Sequence, residues 1–410
     1  MMQLKFPRLE QWQSDVLNSV NNNEADTYVI KSHRQCGKSL LACVLLICAS
    51  CKQKSVSAVV EPTLSQSRRV FRQLQNMLSK SGIIEKSNES ILSLTFINGS
   101  EIVFKSAEQG ETALRGLTIN GSGIMVIDEG AFIDTSIYQV LTNTVTVHHR
   151  PIIAFSTPLF KSGWYYELYS AGEKGQHRIK SFDWSTYDTS KYLSEEQKEF
   201  YRQSVTPQKF RSDYLGLFLE DNESMIFGDI KKCIKPITNL IPRYGGIDWS
   251  NSGGDYTVLT LMNSEKQIVN IYRWQKEEPT EKVDFIAQIL NQYPSLEAVN
   301  CETNSMGETY ISILKQKLIN KRIIKPFTTT NESKRRIIEA LVVAFQKEDI
   351  TIINDSELIK ELQHYEIQQT KNGSITYNGN GANDDYVMSL AMCYDNYPKN
   401  NTSNYKIKRI

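Results

Sequence analysis

Residues suited to phosphate chemistry stand in one short stretch near the beginning of the chain. Ser32 to Ser39 reads SHRQCGKS and directly follows the apolar residues Tyr28-Val29-Ile30. This is the layout of a phosphate-binding loop, in which backbone N–H groups and the N-terminus of the following helix cradle phosphate groups. Lys38 is expected to neutralise the β- and γ-phosphates and Ser39 to ligate Mg²⁺. The other loop residues expected to contact a nucleotide are Arg34, Gln35, Cys36 and Gly37.

A second stretch supplies the acids that such a reaction needs. The apolar run Ile124 to Ile127 ends in Asp128-Glu129. Asp128 is expected to hold the metal ion through water, and Glu129 to polarise the water that attacks the γ-phosphate. A Gly-Lys-Ser/Thr triplet alone arises by chance in roughly one chain in five of this length, but its combination with a strand that ends in two acids is much rarer. The pair predicts ATP hydrolysis.

Ser32 departs from the usual phosphate-loop pattern, which has a glycine at that position. Glycine tolerates a positive φ there, whereas a residue with a side chain does not. The sequence therefore requires a backbone at Ser32 that avoids positive φ.

The second half of the chain carries carboxylates at the ends of apolar runs. Asp248 ends one run, Asp255 opens the next, Glu302 ends a third, and Asp384-Asp385 begins an apolar helix. RNase H-like folds gather two Mg²⁺ or Mn²⁺ ions in this way, and the ions activate water and stabilise the leaving 3′ oxygen of a phosphodiester. Taken singly, each acid is more simply a surface charge or a helix cap, Asp384 above all. As an ordered set they favour a nuclease metal site.

The pattern of strands and helices predicts two domains. Strand-like and helix-like stretches alternate between residues 27 and 160, which is typical of a mostly parallel sheet covered by helices. Residues 160–235 predict helices and loops rather than a further sheet, and strand-like alternation resumes at Tyr244. A chain of 410 residues exceeds one ordinary core. We predict an ATPase domain over 1–195, a connecting region over 196–240, a nuclease domain over 241–398 and a flexible basic tail over 399–410.

Composition sets broad limits on function. The 47 Lys and Arg residues nearly cancel the 46 Asp and Glu residues, so the net charge of +1 does not decide for or against nucleic acid. Local runs at 321–325 and 334–336 are predicted either to contact DNA phosphates or to form solvated faces. Without a leader or an 18-residue apolar stretch, we expect an intracellular soluble protein. Cys48 and Cys51 match C-x-x-C but are expected as buried or half-buried thiols at a helix end.

These motifs together resemble the large subunit of tailed-bacteriophage terminases, from about Leu9 to Tyr394. That family joins an additional-strand (ASCE-type) P-loop ATPase domain, with a mostly parallel sheet, to an RNase H-like α/β nuclease domain. Its phosphate loop is an arginine-containing variant of the Walker A pattern, which His33 to Ser39 match, and this accounts for the absent first glycine. Three segments resemble the nuclease motifs of the family in order, with asparagine where the third commonly begins with histidine: Gly246 to Trp249, Cys301 to Asn304 and Asn383 to Asp385.

The resemblance implies further roles in the first half of the chain. Gln13 is similar to the glutamine by which the family recognises adenine. Arg115, before Gly116, is similar to an arginine that senses the γ-phosphate or acts as a finger, and a surface arginine beside a turn is the alternative. Ser156-Thr157-Pro158 is similar to the motif that couples hydrolysis to DNA movement, and it is also a turn that ends a strand.

The resemblance also implies an activity and partners. The activity is ATP-driven translocation of double-stranded DNA, with an attached endonuclease that cuts concatemeric DNA as it is pumped into an empty capsid. ATP with Mg²⁺, and two Mg²⁺ or Mn²⁺ ions for the nuclease, are the implied cofactors. The implied partners are the portal protein of the procapsid, the small terminase subunit and further copies in a ring, with a monomer as the alternative in isolation and no membrane. The implied location is the host cytoplasm, transiently at the portal vertex, and not the mature virion.

Two other interpretations remain open at this point. A helicase-nuclease of DNA repair would use the same two chemistries to separate strands, and it should carry further nucleic-acid motifs after Asp128-Glu129. The residues that follow Pro158 show none that we recognise. A non-enzymatic, ATP-dependent assembly protein would use the acidic set as structure only.

Overall fold

The computed structural model describes residues 6–184, 194–220, 225–250, 256–275, 278–304, 306–369, 375–379 and 383–398. The chain divides into two compact units. One comprises Met1–Glu199, Pro207–Glu223 and Gln369–Ile375, and the other Phe200–Thr206, Ser224–Gln368 and Thr376–Ile410. The predicted limits of the domains stay a prediction, and the predicted tail at 399–410 lies outside the described residues.

An eight-stranded sheet forms the framework of the first unit. Its central strands are almost entirely buried, so their sequences read as continuous apolar runs, as expected for a sheet covered on both faces. The strands are β1 (Thr27–Ser32), β2 (Val56–Glu61), β3 (Ile84–Asn88), β4 (Ser93–Phe96), β5 (Glu101–Ser106), β6 (Met125–Ile127), β7 (Ile152–Ser156) and β8 (Ile179–Trp184).

The order of strands across this sheet is β3-β4-β5-β2-β6-β7-β1-β8. From β5 to β8 each neighbouring pair is parallel, whereas β4 is antiparallel to both of its neighbours, β3 and β5. The strand β7 lies between β1, which leads into the phosphate loop, and β6, which leads into Asp128-Glu129. This additional strand is the ASCE feature. Because carboxyl ends of parallel strands meet at one edge, the loop and the two acids come together there.

One part of the prediction for residues 160–235 is wrong. Ile179–Trp184 forms β8, which pairs with β1 in parallel at the edge of the sheet. Its side chains are mostly half-buried, because the strand has a neighbour on one side only. A half-buried edge strand lacks the continuous apolar run by which the inner strands are predicted.

Helices cover both faces of the first sheet. Alternate residues of β1 enter two separate cores, with Tyr28 and Ile30 in one and Val29 in the other. A π-helical turn, Phe210–Tyr214, follows the last of these helices. The helices of this unit are α1 (Gln11–Asn21), α2 (Lys38–Lys52), α3 (Leu64–Leu78), α4 (Gly110–Leu114), α5 (Thr135–Thr146), α6 (Gly163–Glu173) and α8 (Pro207–Lys209). The exposed helix α7 (Glu195–Ser204) is divided between the two units.

A five-stranded sheet forms the framework of the second unit. The strands are β9 (Tyr244–Asp248), β10 (Thr257–Met262), β11 (Ile268–Trp274), β12 (Ala298–Glu302) and β13 (Ile324–Phe327), in the order β11-β10-β9-β12-β13. The pairs among β9, β10 and β11 are antiparallel, and β12 and β13 continue parallel to β9. This mixed sheet is the predicted RNase H-like arrangement. A separate two-stranded sheet pairs β14 (Glu366–Gln369) with β15 (Ile375–Asn378).

Close backbone contact fixes one helix of the second unit against β9. A Cβ on Gly246 would lie 2.1 Å from the carbonyl oxygen of Ser389, so this position requires glycine. Ser389 Oγ donates to the Gly246 carbonyl at 2.9 Å. The contact brings the end of β9 close to the start of the last helix. The helices are α9 (Pro279–Gln292), α10 (Gly307–Lys317), α11 (Asn331–Gln346), α12 (Ser356–His364) and α13 (Asp385–Asp395).

The helices of this fold bear on two sequence expectations, one about membrane spans and one about Cys48 and Cys51. Within the described ranges, no helix combines the length and apolarity needed to cross a membrane. Both cysteines lie near the end of α2, as predicted, and Cys48 is half-buried. The expectation of a buried or half-buried thiol is wrong for Cys51, which is exposed.

Candidate functional site

The phosphate loop has the backbone that its sequence requires. Ser32 is the last residue of β1 and therefore extended, which confirms that no glycine is needed there. The thiol of Cys36 donates to Ser32 Oγ at 3.2 Å and closes the loop. Gln35 (φ 60°) and Gly37 (φ 94°) take left-handed conformations. The chain then turns into α2 at Lys38 with its first N–H groups at the loop.

Gln13 braces the loop from the first helix. Its Nε2 donates to the carbonyl oxygen of Gly37 at 3.0 Å, and its Oε1 accepts from the N–H of Glu10 at 3.0 Å. A Cβ at residue 37 would lie 2.7 Å from Nε2, so the bracing amide sits where only glycine leaves room. The predicted adenine-recognition residue therefore contacts the phosphate loop. Both ends of its amide bind the protein, and recognition of a base stays a prediction.

The four residues predicted for hydrolysis lie together at the carboxyl edge of the sheet. Ser39 Oγ donates to Asp128 Oδ2 at 3.3 Å. Lys38 Nζ is 3.6 Å from Glu129 Oε1 and donates to the carbonyl oxygen of His33 at 3.4 Å. Lys38 and Asp128 are almost fully buried. A Mg²⁺-bound triphosphate requires oxygen ligands for the metal ion and a positive charge beside the phosphates. The hydroxyl and carboxylate oxygens at this helix N-terminus can supply the first, and the lysine the second.

Burial and charge act against each other in this cluster. Burial raises the pKa of Asp128 to about 6, and the neighbouring Glu129 carboxylate adds to the effect. Burial also raises the pKa of Glu129, but the Lys38 ammonium and two hydrogen bonds from Thr157 outweigh it and the net shift is downward. Burial lowers the pKa of Lys38, but Glu129, Cys36 and Asp128 together outweigh it and the net shift is upward. Lys38 and Glu129 are therefore a charged pair at neutral pH.

Glu129 also contacts the predicted coupling motif. Its Oε2 accepts from the N–H of Thr157 at 3.3 Å and from Thr157 Oγ1 at 3.1 Å. Ser156 Oγ donates to the same oxygen at 3.4 Å. The two oxygens of one carboxylate thus face different partners, with Lys38 on one and the end of β7 on the other.

A third segment joins the loop and the coupling motif, and sequence reasoning did not single it out. The π-helical turn at 210–214 presents Asp213, whose Oδ2 is 3.1 Å from Arg34 Nη1 and whose carbonyl accepts from the Arg34 N–H at 2.8 Å. In the same turn, Ser212 Oγ donates to the carbonyl oxygen of Pro158. The turn therefore contacts both the phosphate loop and the end of the coupling motif.

Arg115 is the predicted residue that the structure does not place in this cluster. It follows α4, its side chain is 68% exposed, and its Nη2 is 2.8 Å from Glu111 Oε2 one turn earlier. This contact is an ordinary exposed ion pair of the i, i+4 kind. A role at the γ-phosphate stays a prediction, since it requires Arg115 to leave Glu111.

The carboxylates of the second unit converge on Asp248. Burial raises the pKa of Asp248 well above its usual range, and Glu302, Asp385 and Asp384 follow as causes in that order. Glu302 also shares a hydrogen bond with Asp248. Asp385 Oδ2 accepts from the N–H of Tyr256 at 2.7 Å. The structure therefore brings together the four described acids of the predicted set, while Asp255 lies outside the described residues.

Helix capping does not explain Asp384. It stands at the N-cap position of α13, but its side chain makes no cap hydrogen bond. Glu361 of α12 caps the helix instead, since its Oε2 accepts from the N–H groups of Tyr386 at 2.9 Å and Val387 at 3.2 Å. Glu361 is buried, and burial raises its pKa to about 8. Glu361, and not Asp384, therefore binds the N-terminus of α13.

Lys334 supplies a counter-charge to this acidic set. Its Nζ is 2.7 Å from Asp384 Oδ2, and it lies over the ring of Tyr365 at 5.9 Å. The other two members of the basic run also pair with acids, Arg335 with Glu339 and Arg336 with Asp395. As described, this run therefore neutralises acids of its own unit.

Hard oxygen ligands suit Mg²⁺ and Mn²⁺, so the chemistry of the acidic set fits the predicted ions. The geometry fits them less closely, because the described residues contain no three His, Cys, Asp or Glu side chains positioned to hold one ion. The chemistry and the geometry of the acidic set are consistent if a metal ion displaces Lys334 from Asp384 on binding. Asp248, Glu302 and Asp385 are the other residues that would hold it.

The sequence of the chain is similar to those of known phage proteins. Residues 31–230 match the family model for the N-terminal part of the terminase large subunit, T4-like virus type. The chain is 23% identical over 331 residues to the terminase large subunits of Thermus virus P23-45 and Thermus phage G20c. The chain is therefore similar to terminase large subunits. The matched region covers 73% of this chain and 65% of each relative.

Solved structures of large terminases share the fold over almost the whole chain. The large terminase of a thermophilic bacteriophage is 17% identical, with a TM-score of 0.67 over 94% of this chain and 98% of that one. The ADP complex of the same terminase is 16% identical, with a TM-score of 0.64 and the same coverage. This similarity confirms the predicted fold class, an ASCE-type P-loop ATPase domain followed by an RNase H-like domain.

One buried acid of the terminase ATPase fold carries no recognisable sequence signal. Glu61 is the last residue of β2. Val60 pairs with Ile127 of β6, so Glu61 lies level with Asp128, which directly follows β6. Its side chain is fully buried, and among the described residues neither oxygen has a hydrogen-bond partner. Burial, followed by the charges of Asp128 and Glu129, raises the pKa of Glu61 to about 9. At neutral pH its carboxyl is therefore protonated.

Glu61→Gln is expected to stabilise the protein at neutral and alkaline pH. Because the pKa in the folded state (about 9) exceeds the ordinary 4.5, the wild type is stabilised fully below pH 4.5 and loses that contribution as pH rises towards 9. Glutamine has a similar shape and does not titrate. The free energy of unfolding of the variant should exceed that of the wild type at pH 8 by on the order of 1 to 3 kcal/mol.

Urea unfolding at pH 5, 6.5 and 8 measures this difference. Glu85→Gln, which removes an exposed carboxylate from β3, is the matched control. A difference between Glu61→Gln and the wild type that stays constant across the three pH values would contradict the buried, protonated carboxyl.

Proposed function

We propose that this chain is the ATP-driven motor of viral DNA packaging, which moves double-stranded DNA into a capsid and cuts concatemeric DNA with a metal-dependent endonuclease. One observation carries the proposal. The Glu129 carboxylate contacts both the phosphate-loop lysine and the strand end that resembles the coupling motif. The large terminase of the thermophilic bacteriophage has been solved with ADP and with ATP-gamma-S, which supports a nucleotide at this loop.

Hydrolysis would begin with an exchange of partners at Lys38. The β- and γ-phosphates of ATP would take the place of Glu129 beside the Lys38 ammonium. Glu129, still oriented by Thr157, would then orient the attacking water and accept its proton. Ser39 and Asp128 would hold Mg²⁺, which neutralises phosphate charge when bound.

Coupling would follow from the two hydrogen bonds of Thr157. When Glu129 takes up a proton it is a weaker acceptor, because hydrogen bonds to an ionised carboxylate are about twice as strong as neutral ones. The end of β7 at Ser156-Thr157-Pro158 is then held less tightly, and Ser212 transmits this change from Pro158 to the turn that holds Arg34. A change of nucleotide would thus be transmitted from the Glu129 carboxylate to the turn at 210–214.

Arg115 and Gln13 take secondary roles in this proposal. The exposure of Arg115 suits a finger that reaches the nucleotide of a neighbouring subunit in a ring. Gln13, which binds the carbonyl of Gly37, would connect the adenine end of the nucleotide with the phosphate loop.

The second unit would cut DNA with two Mg²⁺ or Mn²⁺ ions. Asp248, Glu302, Asp384 and Asp385, with Asp255 as a weaker ligand, would hold the ions, which activate water and stabilise the leaving oxygen when bound. The buried position of Asp248 at the end of β9 fixes one ligand, and the Glu361 cap fixes the start of α13 that carries two more.

The proposed partners are double-stranded DNA, the portal protein of the procapsid, the small terminase subunit and further copies of the chain in a ring. The proposed location is the host cytoplasm, with transient attachment to the portal vertex and no place in the mature virion. Similarity to terminase large subunits supports DNA and the packaging machinery as partners in general.

Lys38→Ala is expected to abolish ATP hydrolysis and packaging and to leave metal-dependent DNA cleavage measurable, because the two sites lie in separate units. Glu129→Gln should bind ATP and fail to hydrolyse it, since it keeps the shape and removes the charge that polarises water. Phosphate release, fluorescent-nucleotide binding and plasmid cleavage are measured on each variant. Comparable phosphate release by Lys38→Ala and the wild type would exclude this loop as the ATPase site.

Asp213→Asn is expected to tighten ATP binding several-fold. It removes the charge that holds Arg34 and so frees the guanidinium for the phosphates. In an Arg34→Ala background the same substitution should have little effect, which corresponds to a coupling free energy of about 0.5 to 3 kcal/mol between the pair. Titration with a fluorescent ATP analogue gives all four affinities. Equal effects in both backgrounds would show that Asp213 acts independently of Arg34.

Asp248→Asn is expected to eliminate plasmid cleavage with Mg²⁺ or Mn²⁺ and to spare ATP hydrolysis. It should also weaken Mn²⁺ binding in calorimetry, because one central carboxylate is lost. Asp284→Asn, which removes an acid that pairs with Lys317 on the surface of the same unit, is the control and should do neither. Undiminished cleavage by Asp248→Asn would show that the acidic set is not the nuclease centre.

A further inference from the structure

Three arginines share the exposed face of helix α3 in the first unit. Arg68, Arg69 and Arg72 are exposed, whereas Val70 and Phe71 between them are buried against the sheet. Gln73 and Asn76 continue the same surface and, with the arginines, line a shallow groove. The helix therefore presents guanidinium and amide donors along one side.

The fold itself does not account for these arginines. The sequence of α3 contains no acidic residue, and Arg68 and Arg69 lie near its N-terminus, where positive charge opposes the helix dipole. Its first N–H groups already have acceptors, Thr63 for Gln66 and Glu108 for Leu64. Arg68 and Arg72 are four residues apart and repel each other, so the arrangement reduces the stability of the isolated unit.

Ion pairing distinguishes this face from three other exposed basic side chains of the unit. Lys161, Arg178 and Lys180 are exposed but pair with Glu220, Asp26 and Glu24. Over the described part of the chain, Arg68, Arg69 and Arg72 form no ion pair. The contrast extends to the second unit, where the predicted DNA contacts Lys334 to Arg336 all pair with acids.

We propose that the α3 face, defined by Arg68, Arg69, Arg72, Gln73 and Asn76, binds the sugar-phosphate backbone of duplex DNA. This inference rests on the proposed function, since it assigns part of the grip on DNA to the ATPase unit. Arg68 and Arg72 are one turn apart, about 6 Å along the helix, so both can reach phosphates of one strand. Arginine forks match phosphate oxygens in a bidentate manner, and the amides supply further donors.

The chemistry of the face favours duplex over single strands. Proteins that bind single-stranded DNA stack its bases on exposed aromatic rings. The aromatic residue of α3, Phe71, is buried with its ring against Phe104 at 5.4 Å. A face with donors and without exposed rings contacts the backbone independently of sequence, as a motor that moves along any DNA requires.

The salt dependence of duplex binding tests the proposal. The logarithm of the binding constant falls with the logarithm of the salt concentration by about 0.9 for each phosphate contacted. Removing three contacts should therefore flatten this slope by about 2 to 3. Binding of a fluorescent 30-base-pair duplex, a length chosen at about three turns, is followed by anisotropy between about 50 and 200 mM KCl with the full chain and a non-hydrolysable ATP analogue.

Two triple variants with the same change in formal charge are compared. Arg68→Gln, Arg69→Gln and Arg72→Gln together remove the α3 charges, and Lys161→Gln, Arg178→Gln and Lys180→Gln together remove three ion-paired charges of the same unit. The first set is expected to flatten the slope and weaken binding at least tenfold, and the second to leave the slope unchanged. The corresponding Arg→Lys triple variant keeps the charges and should retain the wild-type slope.

Each other outcome counts against the proposal. Equal slopes for the two glutamine variants would show that α3 does not contact phosphates. A change in oligomeric state at an unchanged slope would assign the face to a second copy of the chain. Stronger loss for single-stranded than for duplex DNA would overturn the choice of duplex. A wild type that hydrolyses ATP but binds no duplex would overturn this inference and DNA translocation, whereas wild-type binding with equal variant slopes overturns this inference alone.

Discussion

The first unit depends on one buried carboxylate that must remain charged. Glu129 is surrounded by protein, and burial alone would favour its neutral form. Lys38 on one side and the donors of Thr157 on the other keep it ionised. These partners come from the start of α2 and the end of β7, so the charge of one side chain requires the phosphate loop, β6 and β7 to be in place together. The parallel sheet, which gathers the ends of these strands at one edge, is what makes that possible.

The same cluster explains why the turn at 210–214 has a place in the unit. Arg34 belongs to a loop predicted to hold phosphates, and without an acid beside it the positive charges of Arg34 and Lys38 would repel each other. Asp213 neutralises Arg34 with its side chain and fixes the loop with its backbone carbonyl. A π-helical turn is rare and often marks a functional position, because it offers its donors and acceptors at unusual angles. Here it allows adjacent residues to contact Arg34 and Pro158.

The sequence predicts the residues whose chemistry is carried by local motifs and misses those that act only through the fold. Lys38, Ser39, Asp128 and Glu129 stand next to apolar strands, and strand ends of a parallel sheet converge, so their proximity could be predicted. Asp213 and Glu61 belong to no motif, since each is defined by what lies opposite it in space. Glu361 has the same character, because a helix cap supplied by another helix leaves no periodic signal. The edge strand β8 is missed for a related reason, since half-burial removes the apolar run that identifies its neighbours.

A shared electrostatic problem links the two candidate sites. Each gathers several carboxylates in a poorly solvated place. Burial, followed by repulsion from the neighbouring carboxylates, raises the pKa of Asp128 in one unit and of Asp248 in the other. Each also holds a lysine against one acid of the set, Lys38 against Glu129 and Lys334 against Asp384. A lysine provides charge balance that an arriving phosphate or metal ion can replace, because a single flexible ammonium dissociates more easily than a bidentate guanidinium. The lysines therefore balance part of the charge while the fold holds the acids close together, and the groups that complete the chemistry enter by exchange.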